Sequence, residues 1–274
     1  MSNYKVGFIG GGNMARALVG GLISSGYRPA NLLLAEPSAA RCDVLSLELP
    51  GVHVDKSNNS VADRADCLVL AVKPQLMRDV CLDLAETAQA RKPLIISVAA
   101  GTHSRDIDAW LGGNLAIVRV MPNQPALLLQ GASGLFANKL TSSEERDRAT
   151  EIMSAVGSVV HVADEGSIDA VTAISGTGPA YFYLLIDMLI RSAEDFGLDP
   201  QAAHKLVMDT AQGSASLAAV SGESMEAMIA HVRSPGGTTA AAFEVFDNEN
   251  VRDIFASAIA AARDRAVELA ETSN

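Results

Sequence analysis

Gly10-Gly11-Gly12-Asn13-Met14-Ala15 fits the pattern G-x-G-x-x-A between an apolar run, Val6–Ile9, and an amphipathic stretch from Asn13 to Ser25. In that context Gly10 allows a tight turn and Gly12 lets the backbone approach a pyrophosphate. Ala15 lets the helix lie close on a sheet. The first N–H groups of the helix, with their partial positive charge, then face the phosphates. Glu36, at the end of a second apolar run, stands where an acid would accept a hydrogen bond from a ribose 2′-hydroxyl and favour NAD. Ser38 and Arg41 follow closely and would instead receive a 2′-phosphate, so both cofactors stay open at this stage. Lys73, before Pro74 at a strand end, suits a structural or phosphate-side role better than that of a catalytic base. Late in the chain Ser234-Pro235-Gly236-Gly237-Thr238-Thr239 opens another helical stretch. By itself that string reads as an ordinary helix break with threonine caps.

The elements that must position these residues change character along the chain. Up to about residue 163, short apolar runs alternate with amphipathic ones. The runs are Val6–Ile9, Leu32–Ala35, Cys67–Val72, Leu94–Val98 and Ala116–Val120, and Ser158–Val162 gives a last short strand after them. Strands this continuously apolar suit a sheet buried on both faces, and the helices between them imply parallel crossovers. The expectation is a doubly wound α/β domain over residues 1–163. Gly26 is placed to end the first helix, Ser142 with Glu145 forms a capping box, and Gly157 is expected to end that later helix. From residue 164 to 274 helix signals follow one another: Ala180–Phe196, a run from Asp199-Pro200 toward Gly222, and stretches from Thr238 to about Glu271 with a pause at 247–250. Several of these helices are apolar on most faces, as in Tyr181–Ile190, which predicts a partner subunit.

Composition narrows the function. The 274 residues carry 32 acidic and 21 basic side chains, a net charge of −11. With no basic tract, nucleic acid and anionic membrane are poor partners. Cys42, Cys67 and Cys81 form no Cys-x-x-Cys pair, and the five histidines lack ligand spacing. A disulfide framework and a metal site are therefore not expected, and free thiols suit a reducing cytosol. No uninterrupted apolar run approaches the ~18–20 residues of a membrane span. Gly7, Gly10, Gly11, Gly12 and Arg16 interrupt what would otherwise resemble a signal peptide after Lys5, so a cytoplasmic protein is expected. The motifs G-x-S-x-G, H-E-x-x-H and the phosphate loop of kinases do not occur.

Several blocks together resemble pyrroline-5-carboxylate reductases: Phe8–Ala15, Ala71-Val72-Lys73-Pro74-Gln75, Ser97–Gly101, Met121–Pro125, Ser175–Tyr181 and Val232–Thr239. They run in the family's order over almost the whole chain. The resemblance implies reduction of 1-pyrroline-5-carboxylate to L-proline by NADPH, with NADH as the alternative. It also implies an amino-terminal Rossmann domain and an all-α carboxy-terminal domain that builds a homodimer, often assembled further into a decamer. By the same resemblance Ile9, Gly10, Gly11, Gly12, Asn13 and Met14 hold the pyrophosphate and Asn58 contacts the adenosine half. Ala71, Val72, Lys73 and Pro74 line the cofactor channel, with Val98, Ala99 and Ala100 beside the nicotinamide. Ser234 and the amides of Gly237, Thr238 and Thr239 take the substrate carboxylate, the Thr239 hydroxyl faces the ring nitrogen, and Glu223 lies near the substrate amine. Unpaired N–H groups at a helix start suit that anion, and the glycines permit close approach. The chain departs from the family pattern at Gln124, where threonine is usual, and at Ser224–Met228, where His-Pro-x-x-Leu is common. The amino-terminal turn is also similar to that of β-hydroxyacid dehydrogenases. The lysine that such an enzyme needs would be Lys205, which lacks that family's Gly-rich surroundings. A non-catalytic dinucleotide sensor is the alternative from another class.

Overall fold

The computed structural model describes residues 4–272. Eight strands form one sheet: β1 (Val6–Ile9), β2 (Leu32–Ala35), β3 (His53–Asp55), β4 (Cys67–Leu70), β5 (Leu94–Ser97), β6 (Ile117–Met121), β7 (Gly131–Ala137) and β8 (Gly157–His161). Their order across the sheet is β3-β2-β1-β4-β5-β6-β7-β8. From β3 to β6 neighbouring strands run parallel, with Val6 opposite both Leu32 and Cys67.

The crossovers carry α1 (Asn13–Ser24), α2 (Ala39–Glu48), α3 (Asn58–Ala62), α4 (Pro74–Arg91) and α5 (Ser104–Trp110). Side-chain alternation in the strands feeds two cores. Phe8, Leu34 and Ile96 pack with Leu18 and Leu22 of α1 on one face. Ile9, Leu33 and Leu70 pack with Met77 and Leu84 of α4 on the other. Burial on both faces explains why these runs read as continuously apolar.

Two strands were not read from the sequence, and one expectation needs correction. Strand β7 runs antiparallel to β6, because only a short 3₁₀ turn, Gln124–Leu128, connects them and a parallel crossover needs far more chain. Strand β3 also escapes the apolar-run reading, since it is short and partly exposed. Finally, α6 (Ser143–Ser154) does open with the Ser142–Glu145 capping box, but Gly157 does not end it. Gly157 begins β8 at φ 147°, where a Cβ would collide with the Gly131 backbone.

The chain divides into two compact units, residues 4–177 with 262–272, and residues 178–261. The division falls after the change of pattern at 163/164 for two reasons. Helix α7 (Ser167–Val171) and the π turn that follows it, Thr172–Gly176, pack on β6 and β7. The end of α12 (Val251–Thr272) also belongs to the sheet unit: Ala266 and Ala270 are buried, and a Cβ on Gly101 would lie 3.2 Å from Leu269 Cβ.

The second unit holds α8 (Gly178–Asp195), α9 (Pro200–Ser221), α10 (Met225–Val232), α11 (Thr238–Asn248) and the start of α12. Asp199 caps α9 by accepting from the Gln201 and Ala202 N–H groups, and Gly222 ends it at φ 69°. Unlike the sheet unit with its two cores, this unit buries few apolar side chains, Ala203 and Val207 among them. Phe182 is 67% exposed, and Leu184, Leu185 and Met188 lie open on the same helix. By length and composition alone Ser167–Asp195 would suffice to cross a membrane. An uncovered apolar surface of this kind marks an association site.

Candidate functional site

The residues expected to hold a cofactor gather at one edge of the sheet, where the strand ends of a doubly wound fold form a crevice. Gly10 takes φ 99°, a conformation open to glycine, and donates its N–H to Ala35 O at 3.0 Å. A Cβ on Gly10 would stand 2.9 Å from Ala71 O, and Ala71 in turn donates to Ile9 O. The glycine turn and the Ala71–Pro74 loop therefore brace each other. Gly12 differs, since a Cβ there would meet nothing within 4 Å. It precedes α1, which has no side-chain cap and no acid in its first turn. A groove of about 570 Å³ beside the start of α1 is lined by Asn13, Arg16, Glu48 and Leu127, and one of about 520 Å³ adjoins Gly236 and Gly237. These features fit the pyrophosphate of a dinucleotide: an open cradle, unspent N–H groups and a helix dipole.

Glu36 is buried at the end of β2 with its carboxylate already engaged. Oε1 accepts from the Ser38 N–H at 3.1 Å and Oε2 lies 3.5 Å from Arg41 Nε. The half-exposed Arg41 also donates to Gly11 O at 2.9 Å. Asn58 begins α3, just after β3, with Ser57 capping that helix through the Ser60 N–H. Lys73 and Pro74 occupy the N-cap and first position of α4. Beyond β5, Val98 donates to Leu70 O at 3.2 Å, Ala99 is buried, and the loop turns at Gly101 with φ 67°.

Two polar clusters at this end of the sheet were not singled out in the sequence. Asn123 joins β6 to β7 and the π turn: its Oδ1 accepts from Ala132 N, its Nδ2 donates to Ser175 Oγ, and Ser175 donates to Ala132 O. The second cluster surrounds Arg119, fully buried in β6, with His103, Ser104, Glu165 and Asp169. The signal for it was a charge inside an otherwise apolar strand.

The residues expected to hold the substrate lie in the helical unit. Gly236 takes φ 71°, and the Gly237 N–H donates to Ser234 O at 3.0 Å, closing a turn before α11. Gly237 is the N-cap of α11, which has no side-chain cap and no acid in its first turn. Thr238 and Thr239 are its first two residues, so their N–H groups sit at an uncapped helix start, whereas that of Gly237 is spent on Ser234 O. Next to the turn Arg233 reaches Asp247 at 3.2 Å and lies over the Phe243 ring at 5.2 Å. Glu223 pairs with His231 at 3.4 Å across α10. Ser224 caps α10 by accepting from the Ala227 N–H, so the departure from His-Pro-x-x-Leu still yields a well-started helix. Lys205 pairs with Asp209 at 2.7 Å on α9, and that hydrogen bond raises its pKa, holding it as a solvated cation.

Comparison with known proteins gives a consistent result. A family model described as pyrroline-5-carboxylate reductase dimerisation matches residues 165–269. A second, described as NADP oxidoreductase coenzyme F420-dependent, matches residues 5–101. The chain is 42% identical to a pyrroline-5-carboxylate reductase of Pseudomonas aeruginosa, covering 99% of this chain and 98% of the relative. It is 40% identical to one from Vibrio alginolyticus, at 98% coverage of both. A Coxiella burnetii pyrroline-5-carboxylate reductase structure superposes with a TM-score of 0.92 at 40% identity, covering 98% of this chain and 99% of that one. A Plasmodium falciparum pyrroline carboxylate reductase with NADP bound superposes with a TM-score of 0.88 at 28% identity, over 98% and 99% of the two chains.

Proposed function

The chain belongs to the pyrroline-5-carboxylate reductase family, and from that premise we propose how its two glycine turns divide the work. The reaction is the nicotinamide-dependent reduction of 1-pyrroline-5-carboxylate, a cyclic imine bearing a carboxylate, to L-proline. The observation that carries the division is that both α1 and α11 begin after a glycine turn with no side-chain cap. Each offers main-chain donors to an anion, the first to a pyrophosphate and the second to a carboxylate.

In this reading Ile9 to Met14 hold the pyrophosphate, Asn58 the adenosine half, and Ala71 to Pro74 the channel between. Val98, Ala99 and Ala100 wall the nicotinamide. When bound, the reduced nicotinamide supplies the hydride. Ser234 and the N–H groups of Thr238 and Thr239 hold the substrate carboxylate and so fix which ring face is presented, while the Gly237 N–H closes the turn on Ser234 O. The Thr239 hydroxyl donates to the ring nitrogen, and Glu223 faces the amine that forms. The Thr239 hydrogen bond makes the imine carbon a better electrophile; as hydride reaches carbon the nitrogen takes the proton, and solvent returns one to the hydroxyl. A hydroxyl donor therefore suffices, and orientation is the main contribution of the protein.

NADPH is the preferred cofactor in this proposal. The Arg41 guanidinium is half exposed, and in this proposal it turns from Gly11 O and Glu36, with which it is engaged, to a 2′-phosphate. The exposed face of α8 supports a homodimer, and the family resemblance extends this to a decamer. The acidic balance of the chain supports a small-molecule substrate rather than nucleic acid or an anionic membrane. The buried free thiols suit the cytoplasm.

The test is kcat/KM for NADPH and NADH with pyrroline-5-carboxylate as the second substrate. Rapid oxidation of both is expected, with NADPH favoured by about tenfold, the effect of one good charge-assisted contact. A folded sample inactive with either cofactor would defeat the assignment, and a preference for NADH would defeat the role of Arg41.

A further inference from the structure

The cluster around Arg119 has a composition that stability alone does not explain. Arg119 is 0% exposed. Its Nη1 lies 3.3 Å from Glu165 Oε1 and 3.4 Å from His103 Nδ1, and its Nη2 is 3.8 Å from Asp169 Oδ1. Glu165 also accepts twice from Ser104, from the main-chain N–H at 2.6 Å and from the hydroxyl at 2.7 Å. Yet Arg119 Nε and Nη2, Asp169 Oδ1 and the neighbouring Thr102 Oγ1 are buried without a hydrogen-bond partner among the described residues. Apolar side chains of similar volume generally stabilise a core as well as a buried ionic set, and better than one left partly unsatisfied. What the ionic set does provide is a fixed register between segments far apart in sequence.

Those segments are the loop after β5, the strand β6 and the approach to α7. The loop has one end fixed by the Val98 N–H on Leu70 O. Ser104, the first residue of α5, is its other end, and Glu165 grips Ser104. Between them the backbone passes Ala99, Ala100 and a left-handed Gly101 with no regular structure. Glu165 precedes α7, which leads through the π turn to the start of α8.

We propose that Glu165 is a positioning residue for the reduction. Held by Arg119, it pins Ser104 and thereby sets the loop that walls the nicotinamide. This inference rests on the assignment of Val98, Ala99 and Ala100 to the nicotinamide side. Glu165 touches neither substrate nor cofactor in this role; it limits how far the loop can move away from the distance that hydride transfer requires.

The experiment compares the wild type with Glu165→Gln and Ser104→Ala. The first keeps the size of the side chain and removes its charge. The second deletes one of the two donors while leaving the main-chain N–H. Glu165→Gln is expected to lower kcat about tenfold to a hundredfold, the scale of a small misplacement of reacting groups. NADPH affinity should change little. The primary isotope effect on kcat, measured with NADPH deuterated at the transferred position, should rise as hydride transfer becomes slower than product release. Ser104→Ala should move kcat and the isotope effect in the same direction by less.

A lowered Tm with wild-type kcat and isotope effect in both variants would overturn the positioning role and leave the assigned reaction standing. If Glu165→Gln does not fold, Ser104→Ala decides alone, and a wild-type kcat and isotope effect there overturns the proposal. An inactive wild type would remove the assignment on which the proposal rests, and the proposal with it.

Discussion

The two glycine turns look alike in sequence and differ in how they are supported. At the first, the surrounding sheet closes in: a Cβ on Gly10 would press on Ala71 O at 2.9 Å, and one on Gly11 on Leu45 Cδ1 at 2.7 Å. Only Gly12 faces open space. At the second, Gly236 meets nothing within 4 Å and Gly237 meets only Ser234 of its own turn. The same contrast runs through the units that carry them. The sheet unit has two buried cores, though Leu47 and Leu128 stay exposed, whereas residues 178–261 bury Ala203 and Val207 and leave Phe182, Leu184 and Leu185 in solvent. The first turn is thus braced by the packing of its own unit, while the second sits in a unit whose apolar faces lie open.

The sharpest way to break this comparison is Phe182→Glu. A carboxylate on the apolar face of α8 costs several kcal/mol when buried, on the order of a hundredfold or more in self-association. The expected protein is monomeric by sedimentation and close to inactive, yet still quenches on binding NADPH. Loss of NADPH binding as well would show that the cofactor turn is not self-sufficient. Next, Gly12→Val fills the cradle and should weaken NADPH by about a hundredfold, ~2.7 kcal/mol. Because that side chain has room, Tm should fall by no more than about 2–4 °C, which thermal unfolding checks.

A smaller effect is expected at the second turn. Thr239→Val should lower kcat by about tenfold, the scale of one lost hydrogen bond of about 1.4 kcal/mol. NADPH affinity measured by fluorescence should be unchanged, and full activity in the variant would exclude the donor role.

The smallest lies at the rim of the sheet unit. The Ser60 hydroxyl and the Ser57 N–H hold the Asp55 carboxyl below its ordinary value, the Ser60 bond being the larger cause. A lowered folded pKa contributes stability above the ordinary carboxylate range and loses it as pH falls through the folded value. Ser60→Ala should therefore cost about 1 kcal/mol near neutral pH and progressively less below about pH 4, read from denaturant midpoints across pH.

Much of the sheet unit was legible because its strands are buried on both faces. Leu32–Ala35 and Leu94–Ser97 show uninterrupted apolar runs, and Asn13–Ser24 shows helical spacing between a glycine turn and Gly26. Strand β7 was not legible, since Gly131-Ala132-Ser133-Gly134 has neither β-branching nor alternation. Its pairing depends on small residues that let the Val171 side chain approach Gly134. The glycine turns were visible as strings, and the family blocks gave them roles that geometry alone does not assign. The Arg119 cluster was half visible. The charge interrupts a strand, but Glu165 lies 46 positions away and nothing local joins the two. The change of pattern near residue 163 marked where strands cease, while compactness follows packing and so keeps α7 and the π turn with the sheet.

The contact of Leu269 with Gly101 carries a consequence for how the molecule is made. Residues 262–272 emerge from the ribosome long after β1 to β8, yet they cover the turn of a loop that the sheet alone leaves bare. Contacts between such distant positions form late, because the intervening chain must first be ordered. The nascent sheet unit can therefore collapse early around its two cores, but the turn at Gly101 is covered only after residues 262–272 have been made.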